Sequence, residues 1–302
     1  MIKNVIVFGD SFMYGHETNH RQFVNNEFKK KFKEKVGCKF DRLDFDHQRS
    51  GQIKYLTPEQ VSLWFKFLTS LDENQKDNCN YNSIGNLLAN KLNVPVINHA
   101  VCGSSNNFTF YKVIEHLDQI KKNTLVICGL TEPNRTSKYE NRYQPELKHI
   151  TNMNWFLQSH KDKEKYDLLN LEFGNDHTAL VIQTFSYIRA IINLVESKQA
   201  KVVFVDPFHT WVSDIFHSGN SFDFVKDFLD NEAGYQHHHV LNIIDSFNHD
   251  GVFSPGIANV FSILEQKKLY KYCPGGHYSR ELYSEYVDNQ LIPFLEEKNV
   301  LS

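Results

Sequence analysis

The sequence has little of what would commit it to a membrane, a nucleic acid or a bound cofactor. Its five cysteines (38, 79, 102, 128 and 273) are an odd number with no C-x-x-C pair, which argues against a disulfide framework and for a reducing compartment. No run approaches 18 apolar residues, and the first residues show no basic segment followed by a long apolar stretch and a small-residue cleavage site. The expectation is a soluble, cytoplasmic protein with no membrane insertion. Positive charge is not in excess either: 33 Lys and Arg against 36 Asp and Glu leave a net charge of −3. That balance supplies no broad basic field, so no nucleic-acid partner is expected. Neither G-x-x-x-x-G-K-[ST] nor G-x-G-x-x-G occurs, which removes sequence support for nucleotide-phosphate binding. The three histidines at 237–239 cannot all face one ion from a regular strand, and no H-E-x-x-H or Cys/His pairing accompanies them. They read as a loop, and no metal or organic cofactor is expected.

What is present suits a large α/β domain. The chain has 302 residues, 41% hydrophobic and 23% charged, with 24 Phe and 14 Tyr, enough for a substantial core without staples. Short apolar runs at 3–9 (KNVIVFG), 94–100 (VPVINHA), 124–130 (TLVICGL), 200–207 (AKVVFVDP) and, less clearly, 239–245 (HVLNIID) are nearly continuous in Val, Ile and Phe. Such runs suit strands covered on both faces of a parallel sheet. Cys102 and Cys128 fall in apolar runs and read as small core residues. Helical patterns at 81–92, 106–122, 177–198 and 279–298 alternate with the strands. The expected architecture is a three-layer α/β/α fold with a doubly wound, mostly parallel five-stranded sheet of flavodoxin-like type, in a single domain over 1–302.

Two segments, about 16–80 and 136–176, break that rhythm and read as insertions. Long irregular segments in compact domains commonly cover or line a site, so a lid or substrate-binding wall is one reading and a decoration without catalytic part the other. The Lys-rich stretch FKKKFKEK (28–35) reads as a solvated helix face. Trp64, Trp155 and Trp211 read as core residues before sugar-stacking platforms.

In an open parallel sheet, functional groups gather beyond the carboxyl ends of the strands. The loops expected there are GDSFMYG (9–15), NHAVCGSSNN (98–107), GLTEPNR (129–135) and, before the last helix, CPGGHYS (273–279). A serine hydroxyl becomes a useful nucleophile when an imidazole takes its proton, and the tetrahedral intermediate needs fixed donors for its oxyanion. Ser11 at a strand-to-helix turn and His277 before the final helix fit those roles, with Gly9 allowing the tight exit. The plainer alternatives are that Asp10 or Ser11 caps a helix and that His277 caps the last helix. Asp10 is expected to hold the loop through backbone amides. The serine-elbow pattern G-x-S-x-G, well inside the chain and followed by acid and then His, is not how Ser11 is placed.

With all four loops in view, the chain resembles the SGNH (GDSL-type) hydrolase superfamily, in a divergent form like those of phages and some bacteria. The resemblance spans residue 3 to about 295, apart from the insertions. It implies a serine esterase or acyl hydrolase working through an acyl-enzyme on a short-chain ester, such as an O-acetyl group on a small molecule or glycan. Ser11 maps to the nucleophile and His277 to the general base. The backbone N–H groups of Ser11 and Gly103 map to the oxyanion hole.

Two departures stand out. After the third strand the family usually has G-x-N-D, whose Asn completes the oxyanion hole, and here the chain reads Gly129-Leu130-Thr131-Glu132. Thr131 takes the Asn place, with Asn106, Asn134 or Arg135 as alternatives. The family's acid stands two or three residues before the histidine, where this chain has Gly275 and Pro274. A carboxylate from another strand end, Asp245 or Asp206, or a backbone carbonyl would have to hold His277. Loss of the third triad member can cost about 10⁴-fold in turnover. The alternative function is therefore a catalytically weak or inactive binding or structural protein, for example one that binds glycans. The sequence sets no oligomeric state.

Overall fold

Three runs dense in β-branched and aromatic residues form the centre and one flank of a parallel sheet. In the computed structural model, which describes residues 1–15, 26–37, 57, 59–60, 63, 66, 82–101, 104–131, 135–139, 147–151, 177–206, 252–269 and 277–302, β1 is Asn4–Phe8, β2 is Val96–Asn98, β3 is Thr124–Gly129 and β6 is Lys201–Val205. They lie in the order β2-β1-β3-β6, and every pairing is parallel. Register is fixed at the centre by Val5 opposite Leu125 and Phe8 opposite Cys128.

The continuous apolar runs are explained by what covers them. Val5, Val7, Leu125, Ile127, Val203 and Val205 point into one buried cluster, whereas Ile6, Phe8, Val126, Cys128, Val202 and Phe204 point into another. Alternate residues of β1, β3 and β6 thus enter separate cores, which keeps the positions past the first residue of each strand apolar. The first cluster is closed by α3 (Ile84–Leu92) and by the C-terminal helices through Leu282, Tyr283, Tyr286 and Leu291. The second is closed by α4 (Asn106–Glu115) and α5 (His177–Ser197), through Val113, Phe185, Ile188, Ile192 and Val195. Cys128 is fully buried, and burial pushes its thiol well above the ordinary value, so it behaves as a small hydrophobe.

Several sequence expectations shift. The run at 239–245 lies outside the described residues, as do Cys102, the histidines at 237–239 and the three tryptophans. What pairs beyond β6 among the described residues is an isolated parallel bridge between Phe204 and Phe253. Phe204 N–H donates to Val252 O at 2.7 Å and Ser254 N–H to Phe204 O at 3.0 Å. The helix expected over 279–298 is α7 (Arg280–Tyr286), a π turn (Val287–Leu291) and α8 (Ile292–Glu297). Pro293 sits in the first turn of α8; it has no N–H, and its ring would crowd the carbonyl of Asn289 in a continuous α-helix, so the wider turn accommodates it. Within the second insertion, β4 (Arg135–Tyr139) and β5 (Leu147–Thr151) form an antiparallel pair that the weak periodicity did not indicate. The Lys-rich stretch lies in α2 (Asn26–Val36), which buries Phe32 and Val36 and exposes Lys30, Lys31, Lys33 and Lys35. No helix among the described residues is long and apolar enough to cross a membrane.

The helix expected over 106–122 ends at Glu115, where the chain turns back on a polar cluster. His99, one residue beyond β2, and His116 stack with ring centroids 3.7 Å apart and planes 6° from parallel. Gln119 joins them: its Oε1 accepts from His99 Nε2 at 2.8 Å, and its amide nitrogen donates to His116 Nδ1 at 3.2 Å. Burial, and then the neighbouring His99, holds the His116 imidazole below its ordinary value, against opposing pulls from Glu115 and Asp118. The folded state therefore prefers His116 neutral. Its stabilising contribution is complete above the unfolded value of about 6.5 and is lost as pH falls from there toward the lower folded value. Replacing His116 with Gln is expected to shrink the drop in Tm between about pH 7.5 and 5 relative to the parent chain. An unchanged drop in thermal melts at the two pH values would show that this imidazole carries no such linkage.

Candidate active site

The site is built where β1 runs out. Gly9 has φ +141°, a backbone conformation that L side chains rarely adopt, and an added Cβ would lie 2.6 Å from Met13 Cγ and 3.1 Å from Gly129 Cα. Met13 folds over both glycines, which face each other one residue beyond the Phe8 and Cys128 pair. This packing seats the single-turn helix α1 (Ser11–Tyr14) against the ends of β1 and β3. A Gly129→Ala change would place a methyl group inside the Met13 side chain, with its Sδ 2.9 Å away. We expect a loss of about 1–3 kcal/mol in denaturant unfolding, partly restored by adding Met13→Ala. Full stability in the single variant would show that the contact is not tight.

Asp10 starts α1. Its backbone is extended, and its Oδ1 accepts from Phe12 N–H at 3.0 Å, the geometry of a helix N-cap. The carboxylate thus holds the turn, and Ser11 is the first helical residue, not the cap. Adjacent loops tie down the same corner. Ser104 Oγ donates to Gly9 O at 2.6 Å, Val101 N–H donates to Gly9 O at 2.9 Å, and Asn98 Nδ2 donates to Met13 O at 3.2 Å. From the other face, Tyr283 OH donates to Phe12 O at 2.8 Å.

Ser11 and His277 meet. The Ser11 hydroxyl and His277 Nε2 are 2.9 Å apart, across 266 residues of chain, and both residues are nearly enclosed, at 9% and 8% exposure. The Phe12 ring lies 5.0 Å from the imidazole, tilted at 44°. The last helix does not need His277 as its cap, because Ser279 accepts from Leu282 N–H at 3.3 Å.

The third loop also arrives here. Thr131 follows Gly129 by two residues, and Gly129 packs against Gly9, two residues before Ser11. Asn106, the first residue of α4, clasps Thr131 by its backbone: Asn106 Nδ2 donates to Thr131 O at 2.8 Å, and Thr131 N–H donates to Asn106 Oδ1 at 2.9 Å. Both residues are buried, at 5% and 3% exposure. Thr131 Oγ1 is buried without a hydrogen-bond partner, a condition shared among the described residues by Thr109 Oγ1, one turn along α4. Gly103, Asp245 and Asn134 lie outside the described residues. Asp206 is buried at the end of β6, where its carbonyl accepts from Ile257 N–H at 3.3 Å. Its charge is felt at Tyr286, whose phenol is pushed up mainly by burial and further by Asp206, while a hydrogen bond with Ser254 at 2.7 Å opposes the shift.

Some of this corner was missed from the sequence. Asn98, Ser104 and Tyr283 support the loops through single hydrogen bonds to backbone carbonyls, a role without motif or spacing. Asn106 was expected near the oxyanion but not as a clasp. The signal for it is weak: an Asn at the first position of a helix that follows a loop rich in Gly, Ser and Asn.

Among known proteins, no family model and no curated protein matches the chain. Solved structures that match include the YxiM protein of Bacillus subtilis, at 12% identity and a TM-score of 0.43. That match takes in 99% of this chain and 58% of YxiM, so the chain spans little more than half of that protein's length.

Proposed function

We propose that the chain is a serine acyl hydrolase of SGNH type that cleaves a short-chain ester, such as an O-acetyl group, through a Ser11 acyl-enzyme. One observation carries the reading: the Ser11 hydroxyl faces His277 Nε2 at 2.9 Å at the carboxyl end of the central strands. That is the geometry in which an imidazole takes a serine proton. Ser11 Oγ attacks the acyl carbonyl as its proton passes to His277 Nε2. The tetrahedral intermediate then expels the alcohol, which leaves with that proton. Water, deprotonated by the same imidazole, attacks the acyl-enzyme and releases the acid and free Ser11. The N–H of Ser11, at the start of α1 where no intrahelical acceptor exists, is one oxyanion donor. Gly103 and Thr131 are the others by resemblance.

The finer architecture belongs to the same reading: a single domain whose doubly wound, three-layer sheet gains a fifth strand beyond β6. Helices on both faces and the order β2-β1-β3-β6 support it. The second reading, an SGNH-like binding protein without turnover, is favoured by Gly275 and Pro274 standing where the family has its acid. Labelling with a fluorophosphonate separates the two. Modification that disappears in Ser11→Ala supports the hydrolase, and a folded, unlabelled parent chain supports the binder.

A further inference from the structure

We infer that Asn106 is a positioning residue for this site: it acts through Thr131, by fixing the backbone so that the Thr131 hydroxyl is the side-chain donor to the oxyanion. The inference rests on the acyl-hydrolase reading and deepens it.

The two hydrogen bonds of the clasp, at 2.8 and 2.9 Å, engage both the N–H and the C=O of Thr131. The backbone donor of residue 131 is therefore committed, as are the Asn106 carbonyl and one of its amide hydrogens. What residue 131 has left to offer is its hydroxyl, which is buried and has no partner. A buried hydroxyl left unpaired is costly, and few native groups are left so without a use. Here it stands two residues past Gly129, which packs against Gly9, itself two residues before Ser11. An oxyanion formed at the carbon attacked by Ser11 would give that hydroxyl the acceptor it lacks.

The clasp also explains how a threonine can replace a longer asparagine. Thr Oγ1 is one bond from Cβ, so its position follows from the backbone at residue 131 and a single side-chain torsion. A two-bond clamp from the start of α4 holds that backbone against the end of β3. Preorganisation of this kind places a donor before charge develops.

A double-mutant cycle on turnover of an acetyl ester tests the inference, run beside fluorophosphonate labelling of each variant. Thr131→Val, which keeps the shape but removes the hydroxyl, is expected to lower kcat by about 10²-fold with little change in KM, and Thr131→Ser to recover most of that. Asn106→Ala is expected to lower kcat by a similar factor, and Asn106→Ala with Thr131→Val to be no slower than the worse single variant. Multiplying losses in the double variant would mean that Asn106 donates directly, and would overturn the inference while leaving the hydrolase reading intact. So would a Thr131→Val enzyme with parental kcat. Should Asn106→Ala fail to fold, as read by its melting curve, the Val and Ser variants at 131 still decide whether the hydroxyl is used. A parent chain that takes no label overturns the hydrolase reading and this inference together.

Discussion

Ser11→Ala is expected to abolish fluorophosphonate labelling and to lower kcat for an acetyl ester by about 10⁶-fold, to the level left by substrate binding and oxyanion donors alone. The size of the effect follows from what is lost. The hydroxyl is the only atom of residue 11 that can form the acyl-enzyme, and it is the one held 2.9 Å from His277 Nε2. Ser104 Oγ is already committed to Gly9 O and Ser279 Oγ to Leu282 N–H. The change should cost the fold little, because α1 is capped by Asp10 and anchored by Met13 and Tyr283, none of which uses the serine side chain. A melting curve near that of the parent would therefore accompany the loss of activity. Labelling that persists in Ser11→Ala would place the nucleophile elsewhere and remove the basis of the mechanism.

The parts of the protein legible in the sequence are those where one physical requirement dominates. β1, β3 and β6 stood out because burial on both faces demands unbroken apolar runs, and their bounds moved by only a residue or two. Ser11 and His277 stood out because chemistry restricts the residue type and the fold restricts the place. Elements governed by competing requirements were harder to read. The final helix has an uninterrupted apolar pattern, yet Pro293 makes the chain widen into a π turn, a cost that periodicity does not register. The helix from Asn106 stops at Glu115 although its pattern continues, because His116 and Gln119 are drawn into contact with His99, a residue from a different strand end. Such long-range pairings of single polar side chains leave no local trace. The same is true of the clasp between Asn106 and Thr131, 25 residues apart.

His277→Gln is expected to lower kcat about as far as Ser11→Ala does, by about 10⁶-fold, and the double variant to be no worse than either, since nucleophile and base act as a unit. Glutamine keeps polarity and much of the shape beside the Phe12 ring but cannot take a proton. For the same reason, the acyl-hydrolase reading expects acidification to silence the parent chain: an imidazole already protonated at Nε2 cannot accept the Ser11 proton. The rate should fall on the acid side with the slope of one ionisation, while labelling by the fluorophosphonate falls in parallel. A rate that stays flat on acidification for as long as the fold persists would contradict the role. On the acyl-hydrolase reading, with Pro274 and Gly275 where the resembled family has its acid, turnover up to about 10⁴-fold below that of a complete triad is expected unless a carboxylate from elsewhere in the chain holds the imidazole. Asp206, buried just past β6 and one of the two carboxylates expected from the sequence, is the described one to test for compensation. If it holds the imidazole, Asp206→Asn lowers kcat while leaving the fluorophosphonate site intact. If a backbone carbonyl does so instead, the same variant changes stability through Tyr286 and leaves kcat alone.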